Sequence, residues 1–359
     1  MEGIADVPSE KKDERRAGMK RPELSVIIIG RNEARHIDRC IRSVLKGTDS
    51  VPGREILYVD SASEDGTIGI ARRHLIDIVQ LRKEWPLSAA AGRYIGFQLT
   101  GGRNLFFIDG DSLLFKSWIP LAIEELRRDS RVAGLAGVVH EIWEDGNGKV
   151  VGLQKNRYEQ KAFDSETRTL GGIGMYKREI LEEVGSFNPY LNVDEERELG
   201  LRIRRAGYCM KRMNSPMALT HSFQRETLQE IVRRSQSKLY HFGATLKYCR
   251  QNRFSGQYIR ERLFFIVQFV AAAAAALILL AVLVLSHHAL FIPIGVLAAV
   301  GILFLVKRNK AGSILTSLVK RTLITARTFQ SYFQTKVLPP ESYPREAIRI
   351  QSARGREAV

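Results

Sequence analysis

Asn104-Leu105-Phe106-Phe107-Ile108-Asp109-Gly110-Asp111 decides the fold. Its apolar centre reads as a buried strand, and the chain then surfaces into a loop carrying two carboxylates one residue apart. Such a pair can grip a hard divalent cation, and that cation can in turn hold a diphosphate. Asp-Gly also suits a tight turn, so the triplet alone leaves both readings open.

Two segments upstream have the same form. Leu24-Ser25-Val26-Ile27-Ile28-Ile29 runs into Gly30-Arg31-Asn32-Glu33, and Glu55-Ile56-Leu57-Tyr58-Val59 runs into Asp60-Ser61-Ala62-Ser63-Glu64-Asp65-Gly66-Thr67. Helical periodicity follows each loop. The order β-α-β-α predicts an α/β fold with parallel strands and a ligand crevice at their carboxyl ends, where Asp60 and Asp109 should meet. Asp65-Gly66-Thr67 reads as a turn and helix cap. Asp60 ends a hydrophobic strand, where a carboxylate has no packing role and is placed to accept hydrogen bonds from a ligand.

Taken in order, Val-Ile-Ile-Ile-Gly-Arg-Asn-Glu, Val-Asp-Ser-Ala-Ser-Glu-Asp-Gly-Thr, Ala-Ala-Gly-Arg-Tyr-Ile-Gly and Phe-Phe-Ile-Asp-Gly-Asp resemble the successive signatures of the family 2 glycosyltransferases. The segment from Gly171-Gly172-Ile173-Gly174 to Phe187, and Glu195-Glu196-Arg197-Glu198-Leu199, are similar to that family's acceptor-side segments. The resemblance implies a GT-A fold with a mixed, mostly parallel sheet, a nucleotide-diphospho-sugar donor, a divalent cofactor (Mn2+ or Mg2+) and inversion at the anomeric carbon. It places Gly30, Glu33 and Asp60 at the nucleoside, and Asp109 and Asp111 at the ribose, diphosphate and metal. Arg93 matches a family arginine whose role is diphosphate binding or, otherwise, a helix surface. Gly30-Arg31 stands where Pro-x-Tyr is more usual, and Ser61 where a second Asp is frequent.

Transfer to a hydroxyl needs a base to take its proton. Aligned to the family's acidic pair, Glu196 falls at the base position with Glu195 as the alternative. Asp194, Glu195 and Glu196 are three adjacent acids, and their mutual repulsion should raise at least one pKa. Acids in a first helical turn also favour the macrodipole. His221 is a further candidate metal ligand, since an imidazole suits manganese better than magnesium. Arg225 is placed to reach a phosphate if its segment folds over the donor. His36 and His140 have no comparable context and read as structural.

The chain has 359 residues with 55 Lys and Arg against 39 Asp and Glu, a net charge of +16. That excess fits nucleic acid, anionic lipid or a phosphate-bearing substrate. Residues 263–285 carry no charged residue and, as a helix, would span roughly 34 Å, enough for a bilayer core. A second uncharged run at 289–306 would span about 27 Å, and Ser286-His287-His288 connects the two. The prediction is a C-terminal transmembrane α-helical hairpin, and membrane attachment removes the need for a nucleic-acid partner. Arg260 and Arg262 precede it and Lys307, Arg308 and Lys310 follow, while the connector has no Lys or Arg. The positive-inside rule puts the catalytic domain and both termini in the cytoplasm of a multi-pass inner-membrane protein.

The expected organisation is a flexible charged arm at 1–22, a catalytic domain at 23–224, basic interfacial helices at 225–262, the hairpin at 263–306, and a basic amphipathic segment with a disordered tail at 307–359. Basic and aromatic residues interleave in 225–262, as suits anionic headgroups. Cys40, Cys209 and Cys249 lack metal or redox spacing. Gln236-Ser237-Lys238-Leu239-Tyr240 departs from the Gln-x-x-Arg-Trp of processive synthases, so transfer of one sugar is implied. The acceptor would be a lipid-linked saccharide or, alternatively, polyprenyl phosphate itself. A non-catalytic, membrane-tethered sensor of nucleotide-sugars is the rival from another class, and a sensor would have no use for a base at Glu196. Oligomeric state is not legible.

Overall fold

The computed structural model describes residues 21–145, 147–158, 164–223, 228–286 and 314–353. The chain divides into two compact units, residues 1–223 with 338–359, and residues 224–337.

The first unit is built on one mixed sheet. Its strands are β1 (Leu24–Gly30), β2 (Arg54–Asp60), β3 (Asp77–Gln80), β4 (Asn104–Asp109), β5 (Ser112–Leu114), β6 (Val132–Glu144), β7 (Val150–Gln154), β8 (Ser165–Glu166), β9 (Gly174–Lys177), β10 (Cys209–Phe223) and β11 (Ile348–Gln351). The main path runs β11-β3-β2-β1-β4-β9-β6-β10-β5, with β7 on β6 and β8 on β10. Helices α1 (Ile37–Gly47), α2 (Thr67–Ala71), α3 (Ala89–Leu99), α4 (Trp118–Arg128), α5 (Arg178–Val184) and α6 (Glu195–Arg205) complete the unit. Leu24, Val26, Ile27 and Ile28 of β1 are fully buried, as are Leu105, Phe106 and Ile108 of β4. Helices on both faces of a parallel core make its strands apolar on consecutive positions rather than alternating ones. α3 lies close on β1, because a Cβ at Gly96 would fall 2.2 Å from Ile27 Cγ2. Only glycine permits that approach, which holds the helix bearing Arg93 against the central strand.

The sheet is mixed, as expected, with the parallel ladders holding most of its paired residues. β1 pairs in parallel with β2 and β4, β2 with β3, and β6 with β10. The remaining ladders, β4 with β9, β6 with β7 and β9, β10 with β5 and β8, and β11 with β3, are antiparallel. Parallel neighbours require a crossover, usually a helix, whereas antiparallel neighbours do not. The β-α-β rhythm therefore governs the first half of the sheet and lapses after β4.

The expected disorder after Pro339 is corrected, for residues 338–353. β11 adds to the sheet edge with Ile348 opposite Gln80 and Arg349 opposite Val79. Gln351 Nε2 donates to the carbonyls of His74 and Ile76 at 2.7 and 3.0 Å. Tyr343 is 2 % exposed, donates its hydroxyl to Pro86 O at 2.8 Å, and packs its ring edge-on to Trp85, Tyr94 and Tyr190. This aromatic cluster gives the segment enough buried surface to order it.

The second unit contains α7 (Leu228–Gln236), α8 (Phe242–Gln251), α9 (Ser255–Tyr258), a π turn (Ile259–Leu263), α10 (Phe264–Ser286) and α11 (Ile314–Gln334). α8 packs on α11, where Gly243 N–H donates to Ser331 Oγ and Lys247 Nζ to Thr335 O. Residues 255–278 form a helix long and apolar enough to cross a membrane. The second uncharged run, 289–306, and residues 1–20 of the arm lie outside the described residues.

Candidate active site

β1 lies between β2 and β4, with Gly30 opposite Asp60 and Ile29 opposite Asp109. The carboxyl ends of three parallel strands therefore open at one edge, as the apolar runs and their polar exits predict.

Asp60 turns inward at that edge. It is fully buried and accepts from Ser63 N–H at 2.8 Å, Ser63 Oγ at 2.5 Å, Tyr58 OH at 3.0 Å and Gln80 Nε2 at 3.0 Å. A direct contact with a nucleoside would replace one of these bonds. Asp65 occupies the turn expected of it, accepting from the backbone N–H groups of Thr67 and Ala34. Next to it, Asn32 adopts φ +58 and exchanges bonds with Ser63 and Glu64, which pins the loop after β1 to the loop after β2.

Arg93 joins the two acidic clusters. Its guanidinium is 2 % exposed; one terminal nitrogen donates to Asp109 Oδ1 at 2.8 Å and Gly172 O at 3.2 Å, the other to Glu195 Oε1 at 2.8 Å. Glu196 Oε1 is 3.8 Å away. A planar fork suits this task, because it can satisfy two carboxylates in fixed directions. Arg93 thus sits on neither a helix surface nor an open phosphate site. A Cβ at Gly172 would lie 2.8 Å from Asp109 Oδ2 and 3.0 Å from the guanidinium, so a larger residue there would push against that ion pair.

The acids differ in surroundings. The Glu195 side chain is 7 % exposed and that of Glu196 is 20 % exposed. Burial pushes both upward in pKa, and for Glu195 the neighbouring Glu196 adds to the rise. Asp194 precedes them at φ +56, a left-handed turn at the start of α6. Asp111 accepts from Ser112 Oγ at 3.0 Å and Thr220 Oγ1 at 3.3 Å, while burial and the charge of Asp109 raise its pKa. Burial pushes Glu33 up to about 8, with Asp111, Asp109 and Asp65 adding in that order. Glu33, Asp109 and Asp111 therefore crowd three carboxyl groups at the strand ends, and a divalent cation would relieve the cost of ionising them.

His221 is brought to Asp111 by backbone, its N–H donating to Asp111 O at 3.0 Å. Its imidazole turns to other partners. Nδ1 meets Glu144 Oε1 at 2.6 Å, and the ring stacks on His36 at 4.6 Å between centroids. Sequence reasoning missed Glu144 and set His36 aside. A usable signal existed for Glu144, which ends an apolar strand as Asp60 and Asp109 do. Arg157 was missed as well. Burial opposes its charge, yet Tyr158, Glu141, Asp109 and Asp111 hold its pKa up, so it is a cation within the field of the acidic pair. No periodicity marks it. Arg225 lies outside the described residues.

The fold so built is GT-A-like. Residues 25–185 match the model of glycosyl transferase family 2. Glycosyltransferase AglE of Haloferax volcanii is 27% identical over 199 residues, covering 53% of this chain and 64% of that protein. An uncharacterized glycosyltransferase of Nostoc sp. is 27% identical over 189 residues, covering 46% of this chain and 54% of that protein. The chain thus spans less than two thirds of the length of these curated relatives. Among solved structures, the mannosyltransferase PcManGT from Pyrobaculum calidifontis, in complex with GDP-Man and Mn2+, aligns with a TM-score of 0.58 at 19% identity, covering 91% of this chain and 94% of that one.

Proposed function

We propose that the protein transfers one sugar, with inversion, from a nucleotide-diphospho-sugar to a hydroxyl of a lipid-linked saccharide. The observation that carries this reading is Arg93, which fixes Asp109 of the donor side and Glu195 of the acceptor side to one buried guanidinium. Donor and acceptor machinery are thereby held in register, as an in-line displacement requires.

Asp109 and Asp111 fit a divalent ion such as Mn2+ or Mg2+. They supply oxygen ligands at a partly open strand end, where burial and then the charge of Asp109 raise the pKa of Asp111. An ion held there would neutralise charge on the departing diphosphate. Glu196, the more open of the two acids, is the base. It takes the acceptor hydroxyl proton as the oxygen bonds to the anomeric carbon and the bond to the nucleoside diphosphate breaks. Arg93 keeps Glu195 in its pair and holds Asp109 in place. Gly30, Glu33 and Asp60 shape the nucleoside end, Asp60 by ordering residues 61–63. Arg157 is the described cation best placed for the diphosphate, with Arg225 a further candidate.

The bare apolar surface of α10, including Phe264, Val267, Val270, Leu277 and Ile278, supports attachment to a membrane. Lipid-linked acceptors reside there. Polyprenyl phosphate is the alternative acceptor.

The deciding experiment incubates the full chain with membrane lipid extract, Mn2+ and radiolabelled donors, beginning with GDP-mannose because the structural neighbour was solved with it. Label should enter the organic phase with one donor and should not do so with Asp111→Asn. Equal transfer by that variant would remove the metal assignment, and absence of transfer from every donor would remove the acceptor class.

A further inference from the structure

Outside the Arg93 network, a second group of ligating side chains closes on itself at the same end of the sheet. His36 immediately precedes α1, Glu144 ends β6, and His221 lies on the adjacent parallel strand β10. One ligand atom from each lies within 4.8 Å of the others. The Glu144 carboxylate sits between the rings, 2.6 Å from His221 Nδ1 and 3.5 Å from His36 Nε2. Among the described residues, its ion-pair partners are these two histidines and no Lys or Arg.

The arrangement is costly as an apolar packing solution. Glu144 and His221 are buried, 9 % and 8 % exposed, and His36 Nδ1 is buried without a hydrogen-bond partner. A buried carboxylate without a full counter-charge carries a desolvation penalty that a cation removes. Two imidazoles and one carboxylate form a donor set preferred by zinc, cobalt(II) and nickel(II) over magnesium or calcium. With bonds of about 2.0–2.2 Å, tetrahedral ligand atoms stand about 3.3–3.6 Å apart. The 3.5 Å separation of Glu144 from His36 falls in that range, and the 2.6 Å contact with His221 is a hydrogen bond that an entering ion would replace.

We propose that His36, Glu144 and His221 form a binding site for a borderline divalent metal ion, zinc or cobalt(II), separate from the cation site at Asp109 and Asp111. The three ligands come from three distant stretches of chain, so the bound ion ties the start of α1 to β6 and β10. Asp111 is linked to this site through the N–H of His221. Occupancy therefore anchors the strand that borders the acidic pair while leaving its carboxylates free. His221 belongs to this trio and not to the diphosphate ion.

The test uses the full chain in detergent, freed of metal by chelation and titrated with Co2+ without any donor. One equivalent should bind and give visible bands of a four- or five-coordinate nitrogen–oxygen site, and Zn2+ should displace it while Mg2+ does not. His36→Gln and Glu144→Gln should each weaken binding at least tenfold, whereas Asp109→Asn and Asp111→Asn should change it less than twofold. Thermal melts of each metal-free variant establish that it is folded. Should His36→Gln not fold, the Glu144→Gln titration decides alone. Three results overturn the proposal: no donor-independent binding by the wild-type chain, undiminished binding by a folded His36→Gln or Glu144→Gln variant, or a loss in Asp111→Asn equal to that in Glu144→Gln. The outcome is independent of the glycosyl-transfer reading, which fails instead if no donor gives transfer with the wild-type chain.

Discussion

Arg93 draws Glu195 to 2.8 Å and leaves Glu196 at 3.8 Å with the more open side chain. Glu196→Gln keeps size and most hydrogen bonding but removes the proton acceptor, so donor binding should persist while transfer falls by about two to four orders of magnitude. Glu195→Gln should instead loosen Arg93 and weaken donor binding, because Asp109 loses its fixed partner. Single-turnover rates and donor affinities of both variants separate the roles. A dead Glu195→Gln with a near-normal Glu196→Gln would exchange them. Glu33 gives a pH signature. Its folded value of about 8 stands above the ordinary 4.5, so between those values the folded chain keeps a proton that the unfolded chain has released. The stability it contributes is whole below 4.5 and is lost as pH rises through 8. Metal-free protein should therefore melt at falling temperature from pH 5 to 8.5, and Glu33→Gln should flatten that slope. An identical slope in the variant would show that Glu33 titrates normally. Burial of Glu195 acts in the same direction, so part of the slope should remain.

At the scale of elements, Tyr343 and β11 hold a segment that looks, in sequence, like a charged tail. Tyr343→Ala removes a buried ring and should cost about 3 kcal/mol, roughly 6–12 °C in Tm. Tyr343→Phe should cost only about 1 kcal/mol, the value of one hydrogen bond to Pro86. Differential scanning measurements on both variants read this directly, and an unchanged Tm in Tyr343→Ala would mean the cluster does not form. What was legible follows from this contrast. β1, β2 and β4 announce themselves because unbroken apolar runs end in polar loops, and their partners follow the β-α-β rule. The Asp109-Gly110-Asp111 pair and the acids opening α6 were legible for the same reason, each marking an element's end. β11 was not legible, because Ile348-Arg349-Ile350-Gln351 is four residues long and its partner, β3, lies some 270 positions away. Arg93 was readable as important but not as buried between carboxylates, since that depends on α3 meeting α6 across the sheet edge. The His36, Glu144 and His221 trio has no spacing at all in sequence. Only the parallel pairing of β6 and β10 and the approach of α1 create it.

For the whole molecule, the decisive fact is that residues on both sides of the apolar segment share one compact unit. Residues up to 223 and from 338 onward form a single body, in which β11 pairs with β3. A chain that crossed a bilayer once between residues 224 and 337 would leave β11 on the far side, where that pairing could not occur. Any crossings between residues 224 and 337 would therefore be even in number. The helix at 255–278 supplies one apolar span, and the uncharged run at 289–306 has the length and composition for a second. The basic flanks agree, with Arg260 and Arg262 before the first run and Lys307, Arg308 and Lys310 after the second. A reporter active only in the cytoplasm should work when fused at the carboxyl terminus, and one active only outside should work when inserted at His287-His288. Both fusions should retain glycosyl transfer, since neither interrupts the catalytic unit. An externally active reporter at the carboxyl terminus would break the parity argument and with it the role of β11. Release of the chain from membranes by alkaline carbonate, without detergent, would remove the spans and leave α10 as an apolar helix that lies on the surface instead of crossing.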